Sequence, residues 1–293
     1  MNIITLINRH KSNFDKFYYN ILNEYLDRSL LAKAMKYGSM NGGKRIRPFL
    51  VYEASKLTKI SSKNAFVISS SIESIHSYSL IHDDLPSMDN DDYRRGKLST
   101  HKKFNEAIAI LAGDALHDLA FEILSDIKTH HNSERRIRII NALSKALGSK
   151  GLAGGQSLDL LYENKIISTS KIMNMYRMKT SELFSFCCVA PFILANKSKM
   201  EIKFAYDFGQ IFGLLFQIRD DLLDNEKDFK SLGKTPGKDK KQGKSTLSSL
   251  KNREKIKIFC MKEIKKFENR NRKYFVKNEL LRSLIYYNLN RFN

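Results

Sequence analysis

The sequence predicts an all-α protein, a single domain over residues 1–293 folded as a bundle of about ten helices. Three observations predict it. Apolar residues recur at three- and four-residue spacing through most of the chain, the period of a helix with one buried face. Proline is scarce, at 4 residues, and glycine modest, at 14, which is little punctuation for the turns of a β-rich fold of 293 residues. No stretch alternates apolar and polar residues with the period of a strand, and neither a short repeat nor an interdomain linker interrupts the chain.

Residues 14–37 carry aromatic and aliphatic anchors from Phe14 to Leu26 at helical spacing and are predicted as the first helix. Gly42-Gly43 breaks the pattern. Pro48 suits the first turn of the next helix, which runs to about Leu57. Residues 63–84 form a strong helical segment ended near Pro86, because a proline drives the residue before it out of the helical region. A polar loop follows from Ser87 to Lys102. Helices are predicted over 104–128 and 134–152, punctuated by Gly154-Gly155, and then over 169–195 and 200–226. Residues 228–246 hold Gly233, Pro236, Gly237 and Gly243 among many lysines and read as a long mobile loop. Helices over 247–268 and 275–290 close the chain.

Hydrophobic residues make up 42% of the chain and charged residues 28%, enough for a sizeable core and too apolar for a disordered protein. The formal net charge of +20 points either to an anionic partner, such as nucleic acid or a membrane surface, or to a Lys-, Asn- and Ile-rich composition combined with an anionic substrate. Charge alone does not choose between them; the second is the preferred reading. Cys187, Cys188 and Cys260 are odd in number, two are adjacent, and no CxxC or His pairing surrounds them. They read as reduced thiols, not as disulfides or zinc ligands. Met1 to Phe14 lacks the apolar core of a signal peptide, and the apolar run from Phe184 to Ala195 is too short to span a bilayer. The expectation is a cytoplasmic protein with no stable membrane insertion.

Two acidic clusters carry the chemistry. One runs Ile81-His82-Asp83-Asp84-Leu85-Pro86-Ser87-Met88-Asp89, followed by Asn90-Asp91-Asp92; the other is Gln217-Ile218-Arg219-Asp220-Asp221-Leu222-Leu223-Asp224. Both end an apolar helical run, where crowded like charges are costly unless something compensates them. Asp220 and Asp224, four apart, share a helix face. Asp83 and Asp89 are further apart, but Pro86 lets the chain leave the helix and fold Asp89 back. Such hard oxygen ligands suit Mg²⁺, which is usually held by one or two carboxylates, water and substrate phosphates. One Asp-Asp pair would pass as a solvated helix end; two apolar-flanked clusters, each with a third Asp, do not. The spacing also fails the EF-hand pattern.

Cations come in groups as well. Gly42-Gly43-Lys44-Arg45-Ile46-Arg47-Pro48 places Lys44 and Arg47 at a helix start, which favours an anion. Arg94-Arg95-Gly96 follows the first acidic cluster. Lys179-Thr180 lies in a helical run, and Gly233-Lys234 and Gly243-Lys244-Ser245 lie in the long loop. None has P-loop spacing. Each alone reads as surface charge; together with the acidic clusters they describe a pocket for two diphosphates, one bridged by metal and one held by Arg, Lys and His76.

With these motifs in order, the chain resembles the trans-prenyltransferase (polyprenyl synthetase) family, and most of all its bacterial short-chain branch. The likeness runs from Gly42 to about Leu250. It includes Gly-Gly-Lys-Arg-Ile-Arg-Pro at 42–48, His76 to Asp84, Arg94-Arg95-Gly96, Gly113-Asp114, Gly155 to Leu160, Lys179-Thr180 and Gln217 to Asp224. The resemblance implies a helical bundle of the isoprenoid synthase type, with the acidic motifs facing each other across a central cavity, usually as a homodimer. It implies a Mg²⁺-dependent enzyme with two to three ions per site. Its reaction would be the head-to-tail condensation of isopentenyl diphosphate with dimethylallyl and geranyl diphosphate. Asp83, Asp84, Asp89, Asp220 and Asp224 would hold the metal. Lys44, Arg47, His76 and Arg95 would hold isopentenyl diphosphate. Arg94, Lys179, Thr180, Gln217, Lys234 and Lys244 would face the allylic diphosphate. Lys179, Thr180, Gln217, Asp83 and Asp220 would be the catalytic set, and the 228–246 segment a lid.

If 63–84 is a helix, Tyr78 and Ser79 lie about one turn before Asp83, where a bulky ring would block a growing chain. The resemblance agrees that an aromatic five residues before the first motif goes with a C15 product and smaller residues with C20. Packed core is the other reading of Tyr78. The sequence departs from the family at Asn225-Glu226-Lys227, where apolar residues and Gly are common. Three readings from other classes compete: a basic nucleic-acid-binding helical protein, a silent partner subunit and a terpene cyclase. The first does not explain the acidic clusters. A silent subunit would have lost one of them. A cyclase would not need a second diphosphate site. C20 or C10 synthesis are the alternatives within the class.

Overall fold

The computed structural model describes residues 3–224, 243–250, 252–275 and 279–290. Its contacts gather into two compact units: residues 3–140, and the described residues from 141 onward.

Unit 1 contains α1 (Ile3–Tyr25), α2 (Leu30–Ser39), α3 (Ile46–Thr58), α4 (Ser62–Asp83), the short strands β1 (Tyr93–Arg94) and β2 (Lys97–Leu98), α5 (Thr100–Lys103), α6 (Glu106–Ser125) and the start of α7 (Ser133–Leu147). The predicted helix over 14–37 is in fact two. Ser29 ends the break between them, accepting the Ala32 N–H at 3.1 Å as the N-cap of α2. Asp27-Arg28-Ser29 was the legible signal for that break. Helix α4 matches its expected bounds closely, and Ser61 caps it by accepting from Asn64 N.

α4 is buried nearly all round, although it carries many hydroxyls. Ser69 and Ser74 donate to the carbonyls of Ala65 and Ser70 one turn back, and Ser71 donates across to the Ala120 carbonyl of α6 at 2.8 Å. Small side chains with internally satisfied hydroxyls let α4 sit at the centre, packed against α3 and α6. Phe14, Tyr18 and Leu22 of α1 and Leu116, Leu119 and Ile123 of α6 complete that core. The polar stretch after Pro86 contains the small hairpin that sequence reading missed. β1 and β2 pair antiparallel about Arg95-Gly96, whose φ values of 56° and 78° make the tight two-residue turn. The Tyr37 hydroxyl donates to Leu98 O at 2.7 Å and Asn41 Nδ2 donates to Arg94 O at 3.2 Å, so tertiary contacts support strands too short to show a pattern.

Unit 2 takes the rest of α7, then α8 (Leu152–Leu161), α9 (Thr169–Tyr176), a π-helical turn (Arg177–Ser181), α10 (Glu182–Leu194), α11 (Lys199–Asp224), α12 (Leu247–Leu250), α13 (Arg253–Arg270), α14 (Arg272–Phe275) and α15 (Glu279–Asn290). α10 is buried from Leu183 to Leu194 and packs along α11. Gly154-Gly155, predicted to punctuate a helix end, lies inside α8. A Cβ on Gly155 would come within 2.1 Å of the Lys179 backbone nitrogen, so the glycine is there for close approach of α8 to the π turn. Among the described residues no helix is long and apolar enough to cross a membrane.

Candidate active site

The first acidic motif lies where α4 ends. Asp83 is the last helical residue and Asp84 the cap. The chain then turns back on Pro86. The Asp89 N–H donates to the Asp83 carbonyl at 2.8 Å and the Asp91 N–H to the Asp84 carbonyl at 3.1 Å, with Asn90 at φ 49°. This brings Asp83 and Asp89, both half-buried, onto one turn. Asp84 points the other way, into protein. It is 2% exposed, and the Nε of Arg94 donates to both its oxygens, at 2.9 and 3.2 Å. Burial pushes the Asp84 carboxyl up to about 6, against the pull of Arg94. Arg94 also lies 3.5 Å from Asp91. Two residues expected in different roles, Asp84 and Arg94, are therefore a buried ion pair that braces the acidic turn.

The cations predicted for a second diphosphate gather in the same unit. Arg47 Nη1 and Arg95 Nη2 each lie 3.5 Å from His76 Nε2. Burial, and then Arg47, Arg95, Arg45 and Arg94, hold the His76 ring well below its usual range, so it is neutral at pH 7. Burial, with Arg45, Arg94 and Arg47 as like-charged neighbours, brings the Arg95 guanidinium down to about 10 despite the opposing pull of Glu73. Arg95 also donates to the Gly42 carbonyl, and a Cβ on Gly43, whose φ is +110°, would strike its guanidinium. Lys44 is exposed beside them. Partly desolvated cations this close, around a neutral ring, make a strong receptor for a polyanion.

Tyr78 and Ser79 lie on α4 as expected. The Tyr78 ring meets His82 and His117 edge-on, with centroids 5.0 and 5.3 Å away, and Ser79 donates to the His76 carbonyl at 2.9 Å. His117 of α6 was not singled out from the sequence.

In unit 2, Lys179 and Thr180 lie on the π turn, a geometry found often at functional sites. Lys179 Nζ donates to Asp159 Oδ2 at 2.6 Å, and Lys244 Nζ lies 3.8 Å from the same oxygen. Thr180 Oγ1 donates to Gln217 Oε1 at 2.5 Å, and Gln217 Nε2 donates to Asp221 Oδ1 at 2.8 Å. The Tyr176 hydroxyl donates to the other Asp221 oxygen and accepts from Leu247 N at 2.8 Å. The amide of Gln217 is thus fixed, its oxygen towards Thr180. Burial and Asp221 raise the Tyr176 hydroxyl well above its usual range, so it stays a donor. Asp220 accepts from Arg219 at 2.9 Å and is 44% exposed at the side chain. Asp224 is one turn further along α11. Asp159 and Tyr176 had no assigned role in the sequence reading, and Asp221 was read only as lying close to the metal beside Asp220; the distance along the chain from Asp159 to Lys179 and from Tyr176 to Asp221 hides those pairings. Lys234, most of the predicted 228–246 lid and the departures at 225–227 lie outside the described residues.

Among the described residues no three His, Cys, Asp or Glu side chains are gathered as a closed metal cage. The donor sets are hard carboxylates, in pairs, half-exposed at Asp83 and Asp89. That fits Mg²⁺, which takes its remaining ligands from water and phosphate. A cavity of about 380 Å³ in unit 2, lined by Arg177, Gln210, Glu263 and Phe267 among others, contains none of these residues.

The polyprenyl synthetase family model matches residues 28–279. A farnesyl diphosphate synthase of Micrococcus luteus is 42% identical over 248 residues, 83% of this chain and 84% of the relative. Among solved structures, an FPP/GFPP synthase from Zymomonas mobilis superposes with a TM-score of 0.84 at 34% identity, covering 97% of this chain and 98% of that one. A Helicobacter pylori geranyltransferase complexed with magnesium and isoprenyl diphosphate gives a TM-score of 0.81 at 30% identity, over 99% and 95% of the two chains.

Proposed function

The chain belongs to the polyprenyl synthetase family, and from that membership we infer a prenyltransferase that makes farnesyl diphosphate from isopentenyl diphosphate and shorter allylic diphosphates. The observation that carries the reading at the level of chemistry is the crowding of Arg47 and Arg95 on neutral His76. Arginines in that arrangement attract a polyanion, and isopentenyl diphosphate is the anion the reaction supplies.

We propose the following division of labour. Lys44, Arg47, His76 and Arg95 bind isopentenyl diphosphate and orient its double bond. Lys179, Thr180 and Gln217, with Lys234 and Lys244, bind the allylic partner. Asp83 and Asp89, and Asp220 with Asp224, would hold two to three magnesium ions, while Asp84 braces the first turn through Arg94. When bound, magnesium supplies charge neutralisation for the departing diphosphate. The bond between the allylic carbon and the diphosphate oxygen breaks with its electron pair on oxygen. Thr180 Oγ1 and Gln217 Oε1, fixed by their mutual hydrogen bond, present oxygen to the developing carbocation. The double bond of isopentenyl diphosphate attacks the cation, and a proton leaves to the freed diphosphate. Tyr78 limits the tail to fifteen carbons. Residues 1–293 act as one domain, as a homodimer in the cytoplasm; the buried free thiols of Cys187, Cys188 and Cys260 suit that reducing compartment.

The test is turnover of labelled isopentenyl diphosphate with Mg²⁺ and either dimethylallyl or geranyl diphosphate, products separated by length. C15 from both primers is expected. Absence of product from folded protein would overturn the reading. In Tyr78→Ala the main product should lengthen to C20 or beyond; unchanged length would remove Tyr78 from the role.

A further inference from the structure

Next to the cation cluster lies a buried charged layer that none of these roles uses. Arg45 precedes α3 with φ 52° and ψ 41°, the left-handed region that costs a non-glycine residue energy. Its side chain turns inward, and the residue is 3% exposed. Nε donates to Asp15 of α1 at 2.7 Å, Nη1 to Glu73 of α4, and Nη2 to the Ser39 carbonyl at the end of α2 at 3.0 Å. One guanidinium therefore anchors the backbone between Lys44 and Arg47 to three helices.

Glu73 is 2% exposed and lies one helical turn before His76 on α4. Its charge acts on Arg95 as well as on Arg45. Stability is a poor explanation for this pair, because buried ion pairs are often no better than apolar residues of the same size. Its position explains it better. Arg47 and Arg95 each lie 3.5 Å from one histidine, and the like charges of Arg45 and Arg94 act on the same ring.

We propose that Glu73 and Arg45 are positioning residues for isopentenyl diphosphate. Glu73 offsets the repulsion that would splay Arg47 and Arg95 before the substrate arrives. Arg45 fixes the strained backbone from which Lys44 and Arg47 reach. The proposal rests on the reading that this cluster takes isopentenyl diphosphate.

Glu73→Gln keeps the side-chain shape and removes the charge. With geranyl diphosphate saturating, KM for isopentenyl diphosphate should rise about tenfold, while KM for geranyl diphosphate and kcat stay within about twofold. Glu73→Asp, which restores the charge, should recover part of the loss. Both KM values and kcat moving together with the melting temperature would overturn the proposal, as would no change at all. If Glu73→Gln does not fold, Asp15→Asn, at a side chain 26% exposed, tests the same network: the same split is expected there, only smaller, and an unchanged KM overturns it. A wild-type protein that does not turn over isopentenyl diphosphate would instead sink the functional reading itself, and this inference with it.

Discussion

The two groups of candidate residues, one in each unit, are built on opposite principles. In unit 1 Arg47 and Arg95 lie together at His76, with Glu73 buried against Arg45 and Asp84 against Arg94. In unit 2 the candidate residues form hydrogen bonds that converge on Asp221, from Leu247 through Tyr176 on one side and from Thr180 through Gln217 on the other, each of these donors already having an acceptor. The first arrangement is satisfied by adding an anion. The second fixes dipoles ahead of time and gains little from a ligand. On the proposed function, the contrast separates holding a diphosphate from steadying a carbocation, and it can be attacked from either side.

The largest effect is expected in unit 1. Arg95→Ala removes a partly desolvated cation from the cluster and should raise KM for isopentenyl diphosphate by about a hundredfold or more, with a lesser change in kcat. Steady-state kinetics with geranyl diphosphate saturating checks this; a fall in kcat alone would break the comparison. In unit 2, Asp221→Asn turns an acceptor into a partial donor, so the Gln217 amide loses its charged anchor. There kcat should drop on the order of tenfold to hundredfold, and KM for isopentenyl diphosphate should change little. If the two variants behave alike, the two groups do not divide the work as described.

The smallest effect concerns a cation that unit 1 does not tolerate. His10 of α1 is buried among Phe14, Phe49, Tyr52 and Phe66, and burial, with Lys56 nearby, lowers it from 6.5 to about 4. It is neutral in the folded protein. The unfolded chain takes up the proton first, so this contribution is complete above pH 6.5 and is lost as pH falls towards 4. Between pH 7.5 and 5.5 the loss is roughly 1.3 kcal/mol. Hydrogen exchange across α1 and α3 should show it, and His10→Phe should flatten the dependence. An equal slope in the variant would place the acid sensitivity elsewhere.

What the sequence made legible was local. α4 was read to within a residue because an apolar run sits between a capping serine and a proline. The acidic and basic motifs were read from residue type and short spacing. What escaped was set by partners distant in sequence. Tyr176 and Asp221 are 45 residues apart, and Arg45 and Glu73 are 28 apart, so neither pair leaves a periodic trace. The hairpin at Tyr93–Leu98 escaped because Tyr37 and Asn41 support it from α2 and the loop after it. Gly154-Gly155 was misread because a glycine that ends a helix and one that admits a neighbouring backbone look the same in one dimension.

The π turn at Arg177–Ser181 has a further consequence. The Glu182 N–H reaches back five residues, to the Arg177 carbonyl, so one residue is wound in excess of a regular helix. Each residue of an α-helix turns the chain by about 100°. Deleting any one residue from this stretch would let the hydrogen bonds regularise, at the cost of screwing everything beyond it out of phase. Either Leu183 to Leu194 would keep their buried faces and Lys179 and Thr180 would swing off Asp159 and Gln217, or the reverse. The surplus residue acts as a phase adjuster between a helix committed to packing and a short segment committed to chemistry, and a single codon lost there should be less tolerated than most substitutions at the same positions.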